Sequence, residues 1–241
     1  FEVNGRRYRN VIASFNPGRK RRLIIGAHYD VFSDTPGADD NASAVAGLLE
    51  CARLFDALRP DIGYRLDFVA YCLEEPPFFR TPDMGSAVHA RSLLPVRQDI
   101  IGMICLEMIG YYSDKSGSQD IPLKDMRKNF PDRGNFIIVA GRSHQKAFAD
   151  RVTALIREKC SVAAFAVTDP RVKELLELSD HVNYLNYGFN AVMINDTSML
   201  RNKNYHEEED TIEKLDFEKM AEVVNGCYHA ITNIGNTSAT Q

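Results

Sequence analysis

The chain has 241 residues, 44% hydrophobic and 26% charged, a globular composition that excludes a disordered, collagen-like or disulfide-dense polypeptide. Lys and Arg number 29 against 33 Asp and Glu, and a net charge of −4 gives no global attraction to nucleic acid or anionic membrane. No stretch approaches the roughly 18 apolar residues that a membrane helix needs.

In chain order, seven short apolar runs read as buried strands: Val11–Phe15, Leu23–His28, Tyr64–Leu73, Ile100–Leu106, Phe136–Ala140, Val162–Val167 and Ala191–Ile194. Helix-period segments lie between many of them. In Asn41–Leu58, the residues Val45, Leu48, Leu49, Ala52 and Phe55 share one helical face. Ser143–Lys159 repeats the pattern with Ser143 as its expected N-cap, and Leu215–Ile231 closes the chain with Asp216 as cap. Strands buried on both faces and alternating with helices predict an α/β fold, a mostly parallel twisted sheet with a mixed edge and helices on both sides. A single domain over residues 1–241 is expected, with a small polar tail, Gly235–Gln241, that frays. Gly110–Gly134 is the one long irregular stretch, placed either over a site or on the surface.

The five cysteines, Cys51, Cys72, Cys105, Cys160 and Cys227, include no Cys-x-x-Cys pair and read as buried thiols rather than a disulfide framework. The chain opens at Phe1 without an initiator Met or signal peptide, which reads as a trimmed or mature form.

Ligands of open α/β sheets bind beyond the carboxyl ends of the strands. That is where this sequence puts its unusual polar residues. His28 and Asp30 follow the second run, Glu74 and Glu75 the third, Glu107 the fourth, and His206 lies in the loop after the last. Asp39, Asp40 and Asn41 open the first long helix, where the positive end of the helix dipole favours an anion. Two imidazoles and several carboxylates without a thiolate suit zinc, cobalt or manganese. So many crowded carboxylates repel one another, and two cations compensate them better than one.

The pieces Gly26-Ala27-His28-Tyr29-Asp30, Pro36-Gly37-Ala38-Asp39-Asp40-Asn41-Ala42-Ser43, Glu74-Glu75, Leu106-Glu107-Met108-Ile109-Gly110, Ser179-Asp180-His181, Tyr205-His206 and Asp210-Thr211 occur in that order. In this the chain resembles the M28 family of zinc-dependent aminopeptidases, over nearly its whole length. The resemblance implies a zinc-exopeptidase-like three-layer sandwich and a co-catalytic pair of Zn2+ ions, with Co2+ or Mn2+ as substitutes. Asp40 would bridge them, His28 and Glu107 completing one ion and Glu75 and His206 the other. It further implies a cis peptide after Asp40, Asp30 as the partner of His28, and Glu74 as general base. Asp180 and Tyr205 are expected at the substrate, with Asp180 reaching its ammonium group, and His181 is expected to order the site wall. The substrate would be a peptide with a free N-terminus, with no nucleic acid and no membrane span involved. The family tends to be secreted or periplasmic, which implies an export segment upstream of Phe1.

Three features depart from the family pattern: Glu107 where Asp is usual, the Pro76–Ser86 stretch after the paired glutamates, and Glu207 after the last histidine. Three other activities stay open at this point. One is a related carboxypeptidase, which needs a cation such as Arg80, Arg142, Arg171 or Arg201 for the terminal carboxylate. Another is a glutaminyl-peptide cyclotransferase with one zinc on Asp40, Glu75 and His206. The last is a binding module that has lost its metals.

Overall fold

In the computed structural model, which describes residues 1–235, seven strands form one sheet in the order β3-β5-β4-β6-β9-β7-β8. These are β3 (Val11–Phe15), β4 (Arg22–His28), β5 (Arg65–Tyr71), β6 (Ile100–Glu107), β7 (Phe136–Ala140), β8 (Ala163–Val167) and β9 (Ala191–Asn195); β1 (Glu2–Val3) and β2 (Arg6–Arg7) make a separate hairpin. The expected tail lies, from residue 236 on, outside the described residues.

Strands β5, β4, β6 and β9 run parallel, so their carboxyl ends share one edge. The outer β3 is antiparallel to β5, and the β7–β8 pair, parallel within itself, runs antiparallel to β9. The sheet is therefore mixed at both sides of a parallel centre.

Successive residues of a strand point to opposite faces, and β4 shows the result. Leu23, Ile25 and Ala27 enter the core under α1 (Ala44–Leu58), α3 (Lys146–Arg157) and α6 (Phe217–Asn233). Ile24 enters the opposite core, under α2 (Gly85–Ser92) and α5 (His181–Asn186), with the short α4 (Lys173–Leu176) at its margin. Hydrophobic burial on both sheet faces at about 25 cal/mol per Å2 is what holds the three layers together.

Asp216 caps α6 as expected, its carboxylate accepting the Lys219 amide. Ser143 does not cap α3: the chain first tightens into a 3-10 turn over Ser143–Gln145, and Gln145 precedes the helix without a side-chain cap. The helix expected from Asn41 starts only at Ala44. Before it, Ala38–Ser43 is irregular, with Asp40 at φ −101° and Asn41 at φ −134°. The dipole of α1 thus begins four residues beyond Asp40, and its field fades within a turn, so it is not what holds that carboxylate. The Asp40–Asn41 peptide is cis, as the resemblance implied, and so is Pro76–Pro77. Among the described residues no helix is long and apolar enough to cross a membrane.

Candidate metal centre

His28 is the last residue of β4 and Glu107 the last of β6, while Glu74 and Glu75 follow β5 by a few residues and His206 lies in the loop beyond β9. All are delivered to one edge because these four strands are parallel. Leu73 adopts a left-handed backbone, φ 61°, and this bend ends the strand and lets the adjacent glutamates turn inward together.

Asp40 is the hub. One of its oxygens lies 3.3 Å from His28 Nε2, and that nitrogen lies 3.4 Å from Glu107 Oε2. Its other oxygen lies 3.1 Å from His206 Nε2, which is 3.4 Å from Glu75 Oε2. Two imidazole–carboxylate pairs thus face the two oxygens of one carboxylate. Donors around a tetrahedral ion with bonds of about 2.0–2.1 Å stand roughly 3.3–3.4 Å apart. The spacing and the donor types therefore fit zinc. His28, Asp40 and Glu75 also bring one donor atom each within 4.8 Å of one another. Buried Glu75 Oε1 and His206 Nε2 lack a hydrogen-bond partner in the protein, the condition expected of atoms reserved for a cation.

The electrostatics agree. Burial drives Glu74 well above the ordinary carboxylate range, opposed by His28 and reinforced by Glu107 and Asp180. Burial lifts Glu107 to about 7 against the pull of His28. Burial also disfavours charge on His206, but Asp40 and Glu75 overcome it and raise the imidazole to about 9. Asp40 goes the other way: its burial penalty is outweighed by His206 and His28, and it falls to about 2. A site that holds buried acids at such different affinities for protons is short of positive charge.

A further shell fixes the donors. His28 Nδ1 is 3.1 Å from the Asp30 carbonyl oxygen and 3.6 Å from its carboxylate. That carboxylate instead accepts the backbone N–H groups of Glu74 and Glu75, at 3.2 and 3.1 Å. Asp30 thus orients both a histidine and the paired glutamates, a wider role than sequence reasoning gave it. Ser179 donates to Glu107 Oε2 at 2.6 Å. Asp210 accepts the backbone N–H groups of Asp39 and Asp40. Asn41 donates to the Leu106 carbonyl and accepts the Met108 amide, tying the hub segment to the end of β6. The bonds of Asn41 and Asp210 depend on spatial meetings that spacing along the chain does not reveal.

Asp180 lies beside this cluster, fully buried, with neither carboxylate oxygen hydrogen-bonded in the protein, and burial lifts it to about 7. Tyr205 stacks on His206 at 3.8 Å. Burial, with Asp40 and the three glutamates nearby, holds its phenol protonated far above neutral pH. His181 is buried and meets the Leu176 carbonyl, a wall contact. A small apolar cleft of about 60 Å3 is lined by Ile121, Met126, Phe130, Phe136, Leu178, Met193 and Met199, none of them a member of the cluster. Two residues link it to the carboxylates: Leu178 precedes Ser179, and Asn195, on its wall, donates to the Glu107 carbonyl. The Gly110–Gly134 stretch supplies one side of this cleft.

Comparison with known proteins identifies the family. An uncharacterized protein of Escherichia coli (strain K12), YfbL, is 44% identical over 240 residues, covering 96% of this chain and 72% of its own. The aminopeptidase from Aneurinibacillus sp. strain AM-1 superimposes with a TM-score of 0.69 at 25% identity, over 93% of this chain but only 47% of that one. A glutaminyl cyclase of Bacteroides thetaiotaomicron superimposes with a TM-score of 0.64 at 20% identity, over 93% of this chain and 77% of that one. A model of Peptidase family M28 matches residues 10–231, which span every strand of the main sheet and every residue of the cluster. By fold, by motif order and by that match, the chain belongs to peptidase family M28.

Proposed function

We propose that this chain is a zinc-dependent aminopeptidase with a dinuclear centre on His28, Asp40, Glu75, Glu107 and His206. The observation that carries the reading is the division of Asp40, one oxygen to each imidazole–carboxylate pair. Zinc held there lowers the pKa of water and polarises a carbonyl. Glu74, buried and 3.9 Å from His28 Nε2, accepts the proton of the attacking water and returns it to the departing amine. Tyr205 donates its phenolic hydrogen to the oxygen on which negative charge develops. Asp180, unpartnered and buried, receives the substrate's ammonium group. The apolar cleft one strand beyond Glu107 takes an apolar flanking side chain.

A carboxypeptidase reading has less support. Arg80 is engaged by Glu174, Arg142 by Glu177 and Arg171 by Asp125 and Asp169, and Arg201 is buried on Gln119 and two carbonyls. Each of the four guanidinium groups already has a carboxylate or carbonyl partner within the protein. A glutaminyl cyclase with one zinc on Asp40, Glu75 and His206 is the second reading. What supports it is that the three donors it needs meet in the cluster, His206 Nε2 lying 3.1 Å from Asp40 and 3.4 Å from Glu75.

Elemental analysis combined with an aminoacyl-anilide panel and an N-terminal glutaminyl peptide tests both. Two zinc equivalents with release of Leu, Met or Phe are expected. One equivalent with cyclisation of the glutaminyl peptide would replace the first reading by the second.

A further inference from the structure

Histidines that bind metals usually hand their other ring nitrogen to an acceptor, which fixes the plane of the ring and its tautomer. His28 does so through Asp30. His206 does not: among the described residues no hydrogen bond is made by either of its ring nitrogens. It is also the more exposed of the two, with 23% of its side chain accessible against 1% for His28, and its backbone is left-handed, φ 63°. A ring so placed has rotational freedom unless something else removes it.

Two aromatic rings enclose it. Phe32 stacks on one face with centroids 4.1 Å apart and planes within 2°, and Tyr205 stacks at 3.8 Å and 20°. Phe32 belongs to the loop that leaves β4, and its carbonyl accepts both the amide and the hydroxyl of Thr35, so the turn that carries the ring is itself pinned. No motif drew attention to Phe32.

We propose that Phe32, together with Tyr205, is a positioning residue for the second metal position: the stack replaces the missing hydrogen-bond anchor and aims His206 Nε2 between Asp40 and Glu75. This rests on the reading of His206 as a ligand. The loop Tyr29–Pro36 then governs both imidazoles, the fully buried one through Asp30 and the partly buried one through Phe32. Offset and parallel ring contacts are sensitive to ring shape, so an aliphatic side chain of similar bulk does not reproduce them.

The test compares Phe32→Leu, Phe32→Tyr and His206→Ala with the unaltered protein in zinc competition against a chelator, alongside melting of the metal-free forms. Phe32→Leu is expected to bind zinc about tenfold more weakly, the lower end of what loss of an orienting partner costs. Phe32→Tyr is expected to restore it, with metal-free melting temperatures unchanged. In metal-free protein the His206 ring protons, shielded by the stack, are expected to move downfield in Phe32→Leu and not in Phe32→Tyr. Zinc affinity unaltered in Phe32→Leu while His206→Ala loses it overturns the clamp and leaves the metal centre standing. Affinity unaltered in His206→Ala overturns the ligand reading and the clamp with it.

Discussion

Glu74 and Asp40 are both buried acids at the same sheet edge, yet their surroundings assign them opposite protonation behaviour. Without a cation, Asp40 faces two imidazoles and stays ionised, whereas burial pushes Glu74 toward its neutral form; positive charge held beside it frees it to accept a proton. Replacing Glu74 by Gln keeps shape and removes proton transfer. The expected outcome is unchanged zinc content with kcat lower by about 100- to 10,000-fold. Ordinary turnover in that variant would take Glu74 out of the proton-transfer role. Asp40→Asn turns one of the two acceptor oxygens into a donor aimed at an imidazole nitrogen. Zinc per chain should fall by at least half, and full stoichiometry by elemental analysis would refute the hub. Glu74 was legible in the sequence because it follows a strand that is apolar on both faces, and Asp40 because it stands in the motif Gly37-Ala38-Asp39-Asp40-Asn41 that carries the resemblance. Phe32 was not, since a ring stack across 174 positions leaves no periodic or spacing signal.

At the level of elements, the strands were readable to within a residue or two. Burial makes most of them short apolar runs with abrupt polar ends, as where Ala140 gives way to Gly141-Arg142, but β3, expected to be buried, is an exposed edge strand with Val11 and Ile12 open to solvent. The short helices α2, α4 and α5 were not readable, because four to eight residues give too few turns for a period to stand out. The parallel centre was read from the alternation of strands with helices, whereas which strands reverse at either side was not, because that is set by the connections. The long connection before β7 is where that matters. It is pinned by Arg201, which donates to Gln119 Oε1, to the Tyr111 carbonyl and to the Phe136 carbonyl from a nearly inaccessible position. Arg201→Met removes these charge-assisted bonds and strands the acceptors. Urea unfolding should show a loss of about 2–4 kcal/mol, and limited proteolysis should cut first within residues 111–135. Cleavage elsewhere with unchanged stability would show that the connection is held by other contacts.

For the whole molecule, the cluster makes stability depend on pH when no metal is bound. Glu107 holds its proton up to about 7 in the fold, well above its ordinary 4.5, so folding gains at low pH and loses that gain as pH rises through this window. His206, raised from 6.5 to about 9, contributes below neutrality and loses its contribution as pH climbs through 9. Asp40, lowered from 3.8 to about 2, contributes above 3.8 and loses that only in stronger acid. The metal-free protein should therefore melt at a lower temperature at pH 9 than at pH 6. Chelator should depress the melting temperature more at pH 9 than at pH 6, because cations do there what protons can no longer do. Scanning calorimetry with and without chelator at the two pH values decides it, and equal depressions would mean that these groups are not coupled to the ion.

The reversal of strand direction between β9 and β7 has a consequence for how a chain of amino acids would lie on the enzyme. On one side of that junction the edge presents strand termini that end in acids and imidazoles; on the other it presents the beginning of β7, where Phe136 and Ile138 stand. The border between an ionic half and an oily half is thus drawn by topology, one strand away from Glu107, and not by any individual side chain. A scissile bond set on that border would have its reacting atoms on the wet side and its flanking residue on the dry one, so exchanging cleft residues should retune which residue is removed while leaving the chemistry of removal untouched.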